Sequence, residues 1–406
     1  MGCRSHVPGW HERTKALQRA NKLQVVGIIE EQHPARCRLF MQWKQMGWPV
    51  LVDSLNLLGV TAVPYAYLLD EHGVIRFGER VRVENLTEFL ETTYAKPEEA
   101  PPPAEFPDPE ALEKKAADQK DDSDSDASVW LAYGDALFLR GRDTDLDKSV
   151  EAYRKALTLG GPPEASFRLG VALRRRYESA HRRFGDFQAA LDAWGKALSQ
   201  QPNQYIWRRR IQQYGPRLEK PYAFYDWVGA ARKDIELRGK TPVPLAVEPR
   251  GAEIARPSKK FEAAAQDAKE PDPVGRIQLD TKRLIVVETA VAPAAVQRGG
   301  VARIHLVLRP DGNRKAHWNN EAGVTEIWLQ PRRGAQVSRK RLSFANARTE
   351  VSTEPREVEC EVRIPQDVEL GKFTVPGYAL YYVCEGETGT CIYLRQDVAI
   401  EFRVKG

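Results

Sequence analysis

With 406 residues the chain exceeds one ordinary core, so two to four domains are expected. A hydrophobic content of 42% is enough for packed cores, and no run approaches the roughly 18 apolar residues of a membrane helix, which excludes a helical span. The net charge of +5 is small and its lysines and arginines are spread out, which weighs against nucleic-acid binding.

Residues 1–95 alternate helical and strand patterns. The spacing is helical from Thr14 to Lys22, and Leu23 to Ile29 is a short apolar strand. Pro34 opens a helical stretch whose apolar members include Cys37, Phe40, Met41 and Trp43. Pro49-Val50-Leu51-Val52 is a second strand. Ala66 to Leu69 and Val74 to Phe77 flank Asp70-Glu71-His72-Gly73 as a hairpin, and Leu86 to Thr93 closes with a helix. This alternation predicts an α/β layer fold whose sheet the hairpin makes mixed.

Residues 96–127 carry Pro101-Pro102-Pro103, Pro107-Asp108-Pro109 and the acidic run Asp121 to Asp126, and read as a disordered acidic linker. From 128 to 238 the pattern is helical. Gly185, Phe187, Ala190, Trp194, Ala197 and Pro202 stand at the offsets of a tetratricopeptide second helix, with Leu169-Gly170 as the first-helix signature. Trp130, Tyr133-Gly134, Ser149, Tyr153 and Ala156 repeat the theme. The segment is similar to tetratricopeptide repeats, in which small residues let two helices approach while aromatic side chains fill the space beside them. Arg174 to Arg183 reads as an exposed insertion, and Tyr205 to Tyr214 with Phe224 to Trp227 as a cap. Residues 239–272 are a second linker. From 273 to 406 about seven short strands, among them Tyr378 to Val383, Cys391 to Leu394 and Val398 to Val404, predict an all-β immunoglobulin-like sandwich.

The five cysteines, Cys3, Cys37, Cys360, Cys384 and Cys391, are too few and too odd in number for a disulfide-stapled scaffold. The opening MGCRSHVPGW lacks the apolar core of a secretion signal, and His6 stands where N-terminal acylation wants Ser or Thr. The seven histidines form no ligand-spaced cluster and no Gly-rich phosphate loop stands in the sequence, so no metal and no cofactor are expected.

Gly59-Val60-Thr61-Ala62-Val63-Pro64, with the preceding strands and the following hairpin, resembles the redoxin class of thioredoxin-like proteins, including the TlpA group. The resemblance implies a cis bond at Pro64, opposite the active cysteines, with Val63 offering its backbone edge to an extended substrate. The alternative is that Pro64 only starts an edge strand. The family places Cys-x-x-Cys at a helix start, where the thiolate is favoured. Cys3, five residues before Pro8, matches the second cysteine, and the first would precede Met1. Either upstream codons encode the missing strand and cysteine, the preferred expectation, or the domain has decayed to a structural role. As written, Cys3 alone supports mixed disulfides and no catalytic cycle.

Cys384-Glu385-Gly386-Glu387-Thr388-Gly389-Thr390-Cys391 lies between aromatic strands, a loop over which two cysteines can reach each other. This segment resembles the N-terminal domain of the interchange protein DsbD, whose hairpin cysteines pass electrons by disulfide exchange, and Cys384 and Cys391 map onto that pair. A purely structural bridge is the alternative. The sequence therefore predicts a multidomain protein: an α/β thioredoxin-like domain, helical tetratricopeptide repeats and an all-β sandwich. The expected function is a thiol–disulfide relay with a thiol or disulfide protein partner and a protein-docking repeat module. A non-catalytic scaffold is the alternative. The resemblances imply the bacterial envelope; the chain as written reads as cytoplasmic.

Overall fold

A computed structural model of the chain describes residues 2–78, 83–98, 107–118, 126–142, 144–216, 227–245, 247, 261–264, 268–386 and 389–406. It is a mixed chain of helices and sheets that divides into two compact units. One unit comprises residues 1–175, 196–210 and 223–249; the other comprises 176–195, 211–222 and 250–406.

The chain opens with α1 (Gly2–Arg19), β1 (Gly27–Ile29), α2 (Ala35–Lys44), β2 (Val50–Val52), β3 (Leu68–Leu69), β4 (Ile75–Phe77) and α3 (Val83–Glu91). Helix α1 ends where Asn21 takes a left-handed φ of 54° and Lys22 N–H donates to Leu17 O at 2.9 Å, so it stops short of the expected Lys22. β1 pairs in parallel with β2, from Gly27 opposite Val50 to Ile29 opposite Val52. β3 and β4 form the antiparallel hairpin. Asp70 holds its turn by accepting from His72 N and Val74 N at 2.9 Å each. Among the described residues the two pairs are separate two-stranded sheets, not one continuous sheet. Leu68, Leu86 and Phe89 form a small core with Trp10, Leu17, Leu23 and Phe77 against it.

Seven helices follow among the described residues: α4 (Pro109–Ala117), α5 (Ala127–Arg140), α6 (Asp145–Thr158), α7 (Pro163–Tyr177), α8 (Asp186–Gln200), α9 (Tyr205–Tyr214) and α10 (Trp227–Leu237). Helix α4 lies inside the stretch read as a linker. Asp108 caps it by accepting from Glu110 N at 3.1 Å, Pro109 occupies its first position, and Leu112 packs on Tyr133 and Leu137 of α5. Pro101 to Pro103 and Asp121 to Ser125 lie outside the described residues, as does Phe224 of the expected cap.

The close helix approach expected of a repeat occurs at Gly134 of α5. A Cβ there would stand 2.6 Å from the Tyr153 ring of α6. Tyr153 OH donates to Asp135 at 2.9 Å, and Arg168 of α7 donates to the other Asp135 oxygen at 2.5 Å, which joins three helices. In the arginine-rich stretch expected to be an exposed insertion, α7 continues through Tyr177. Arg174 and Arg176 are buried there, and Arg176 grips Asp186 through two hydrogen bonds of 2.6 and 3.0 Å. A bidentate carboxylate partner removes the cost of burying the guanidinium that the sequence alone left in water.

The C-terminal part is all β: β5 (Ile285–Ala292), β6 (Ala295–Gln297), β7 (Val301–Pro310), β8 (Ala316–Asn319), β9 (Glu326–Leu329), β10 (Gln336–Val337), β11 (Arg341–Ser343), β12 (Val351–Ser352), β13 (Arg356–Arg363), β14 (Gly371–Glu385) and β15 (Cys391–Lys405). One sheet runs β10-β13-β7-β5; the other runs β11-β9-β14-β15-β6, with β8 beside the end of β14 and β12 beside β8. Their facing side chains, including Ile304, Leu306, Val362, Trp318, Tyr381, Val383 and Ile400, make one core. Two separate strands were expected over 391–404, yet β15 is continuous. Arg395 N–H donates to Gln278 O, and Asp280 N–H donates to Arg395 O, both at 2.8 Å, so the polar Arg395-Gln396-Asp397 break is paired rather than looped out. Among the described residues no helix is long and apolar enough to cross a membrane.

Candidate functional site

The β14–β15 hairpin positions the strongest candidate. Aromatic and β-branched residues from Tyr378 to Val383 favour an extended chain, and the register runs unbroken from Gly371 opposite Val404 to Cys384 opposite Cys391. Directly opposed residues point to the same face. Cys384 and Cys391 are therefore brought together at the last pair before the turn, with a Cα separation of 4.0 Å, and they are disulfide-bonded. Their surroundings are unequal: Cys384 is 1% exposed, whereas Cys391 is exposed.

The pair sits on the face of the sheet away from the main core. One pair further down that face, Tyr382 and Tyr393 stack at 4.4 Å. A Cβ on Gly323 would stand 3.0 Å from the Tyr382 ring, so that glycine lets the 320–325 loop lie against the tyrosine. Below them Trp328, Tyr378 and Leu380 are buried with Ile277 and Tyr393 against them. Arg395 lies over the Tyr378 ring at 3.8 Å and donates to Asp272 at 2.9 Å, which fastens the 272–280 segment along β15. Glu385, the residue after Cys384, pairs with Lys282 at 2.5 Å and Arg314 at 3.8 Å, and Gly386 N–H donates to Lys315 O at 3.2 Å. Strands, strap and loops thus hold a bridge whose one sulfur-bearing residue faces solvent. Chemically, such a bridge can be opened by an incoming thiolate.

The N-terminal residues are arranged differently. Cys3 lies in the first turn of α1 and is a free thiol. Burial pushes its pKa up, so the helix-start position does not make it a ready thiolate. Val63–Pro64 is cis, and both residues are exposed. Thr61 O accepts from Tyr205 N at 3.1 Å, which ties the segment before Pro64 to the start of α9. The remaining free thiols, Cys37 and Cys360, are pushed up to about 11 and about 12 by burial.

Two features escaped the sequence reading. At the C-terminal ends of β1 and β2, Asp53 accepts from Leu57 N at 2.8 Å and Leu58 N at 3.0 Å. Glu30 follows β1 as Asp53 follows β2, and both of its carboxyl oxygens are buried without a hydrogen-bond donor paired to them among the described residues. Burial, then the charge of Asp53, pushes Glu30 up to about 8 against the pull of Arg210. The second feature is His317, which β8 places opposite Cys384. Only strand register could have revealed it.

No protein-family model matches the chain, and no curated protein matches it. Solved structures with partial likeness include AvmM, which catalyses macrocyclization in alchivemycin A biosynthesis; it is 14% identical, covers 30% of this chain and 89% of its own, and has a TM-score of 0.20. The sporulation control protein Spo0M of Bacillus subtilis is 10% identical over 30% of this chain and 50% of its own, with a TM-score of 0.15. The alkylpurine DNA glycosylase AlkC of Pseudomonas fluorescens is 15% identical over 75% and 83%, with a TM-score of 0.17. At these scores the likenesses carry no argument about fold or function.

Proposed function

We propose that the chain is a thiol–disulfide exchange protein whose working bond is Cys384–Cys391. The observation that carries this reading is the asymmetry of the bond: one cysteine buried in the sheet, the other exposed at the hairpin tip. A partner thiolate attacks the accessible Cys391 sulfur, and Cys384 leaves as a thiolate that can return and resolve the mixed disulfide. In this reading residues 273–406 are an immunoglobulin-like domain similar to the DsbD N-terminal domain. The 128–238 helices are tetratricopeptide repeats that dock a protein partner. An oxidising compartment such as the bacterial envelope suits a bond of this kind.

The N-terminal lobe has the scaffold role in this proposal. Its two thiols, Cys3 and Cys37, lie in different helices, unbonded and raised in pKa by burial, and with its strands in two separate pairs this favours that role over a second exchange centre. The redoxin resemblance is retained as its ancestry, with Val63 and Pro64 an exposed edge for an extended segment. The test is turnover by the full chain. After reduction with dithiothreitol and desalting, oxidised glutathione is added and cysteines are followed by alkylation and mass spectrometry. The expected result is re-formation of Cys384–Cys391 with release of reduced glutathione, while Cys3, Cys37 and Cys360 stay unbridged. Failure of that bond to re-form would overturn the reading.

A further inference from the structure

We infer that His317 is the proton donor and acceptor for Cys384 during exchange, a deepening that rests on the exchange reading above. Three adjacent strands carry the argument. Cys391 of β15 stands opposite Cys384 of β14, and Cys384 stands opposite His317 of β8. Directly opposed side chains share a face and have Cβ atoms about 4.5–5.5 Å apart. The imidazole therefore flanks Cys384 on the side away from Cys391.

Exchange needs such a group because Cys384 is buried. When a partner thiolate attacks Cys391, a sulfur–sulfur bond forms between partner and Cys391 and the Cys391–Cys384 bond breaks. The electron pair leaves on Cys384, whose desolvated position disfavours a thiolate. A protonated His317 passes its proton to that sulfur, giving a neutral thiol and a neutral imidazole. In the return step the imidazole takes the proton back, the Cys384 thiolate attacks Cys391, and the partner leaves as thiolate. For net reduction, a second partner thiolate attacks the mixed disulfide, the partner is oxidised to its disulfide and Cys391 is released. His317 Nδ1 lies 3.4 Å from Lys315 O, so an Nδ1–H donates there and leaves Nε2 as the nitrogen that exchanges the proton. The charged residues next to this row in the strand register and chain are Glu385, which follows Cys384 and pairs with Lys282 and Arg314, and Lys315, which precedes β8. A half-exposed histidine, which solvent can reach, thus stands on the Cys384 row.

The experiment is rapid-mixing reduction of the oxidised full chain by dithiothreitol from pH 5 to 9, each rate divided by the thiolate fraction of dithiothreitol. For the unaltered chain the normalised rate should fall about tenfold across this pH range as the proton donor is lost. His317→Ala should be slow and flat with pH, and added imidazole should restore part of the rate. His317→Gln, which keeps an amide donor toward Lys315 O, should also be flat, separating proton transfer from loss of packing. Equal rates and profiles in all three chains would overturn the role of His317 while leaving exchange intact. A bond that stays closed in excess dithiothreitol in every chain would overturn both the role and the exchange reading.

Discussion

The two ends of this molecule carry the same element, sulfur, in opposite settings. In the C-terminal sheet an unbroken fourteen-pair ladder delivers two cysteines to one face at one register position, and the bond closes. In the N-terminal lobe β1–β2 and β3–β4 are separate short sheets, and the two thiols, Cys3 and Cys37, lie unbonded in different helices with pKa raised by burial. Ten of the twenty-one large apolar residues exposed among the described residues, including Val26, Ile28, Leu51, Leu69 and Ile75, fall between residues 26 and 75 of that lobe. Both regions look redox-related in the sequence. The difference teaches that closing a bond depends less on having cysteines than on a ladder that registers two of them at one position.

The sharpest way to break this comparison is to cut the bond from either side. Cys384→Ser leaves the exposed Cys391 free, and Cys391→Ser leaves the buried Cys384. Alkylation of the first variant should be at least about tenfold faster than of the second, because exposure and thiolate character control thiol reactivity. Equal rates would remove the asymmetry on which the proposed polarity rests.

The helical part offers a packing test that touches neither sulfur region. Gly134→Ala drives a methyl into the Tyr153 ring, where a Cβ stands at 2.6 Å. A loss of about 1–3 kcal/mol in denaturant unfolding is expected from such overpacking. No loss would mean that the α5–α6 contact can relax at little cost.

The N-terminal lobe should show its own pH signature through Glu30, whose folded pKa is raised to about 8. The folded state then binds a proton that the unfolded state releases near the ordinary carboxyl value. The resulting stability is fully present below that unfolded pKa and is lost as pH rises through the folded one. Between pH 5 and pH 8 the unaltered chain should lose about 1–2 kcal/mol more than Glu30→Gln, after allowing for solvent screening of a partly buried group. Identical pH slopes in thermal melts of the two chains would contradict the buried-acid account.

The smallest effect is a null one. Cys3→Ser should leave the reduction kinetics of Cys384–Cys391 unchanged. A change beyond about twofold would show that the N-terminal thiol takes part in exchange and that the contrast between the regions is wrong.

Much of the C-terminal pattern was legible because its strands declare themselves. Tyr378 to Val383 and Val398 to Val404 are rich in β-formers, and a Gly-containing turn between Cys384 and Cys391 brings strand ends together. The helical spacing around Gly134 and Tyr153 was legible for a similar reason, since size complementarity at fixed offsets is a local signal. What stayed hidden depends on partners distant in sequence. Arg176 reads as surface until Asp186 is opposite it, and Arg395 reads as a break until the 278–280 segment pairs with it. Composition concealed α4, where an Asp-Pro start outweighs the surrounding prolines. His317 looked isolated because its neighbour Cys384 is 67 residues away along the chain and reaches it only through strand register.

The central claim is that Cys384–Cys391 is a reversible bond, and its reduction potential tests that most directly. The oxidised chain would be equilibrated in thiol–disulfide buffers of graded potential, trapped by alkylation and read by mass spectrometry. The account predicts a reversible two-electron transition with a midpoint between about −120 and −270 mV, the range of exchange proteins. A midpoint below about −300 mV would mark a structural bridge and contradict the account.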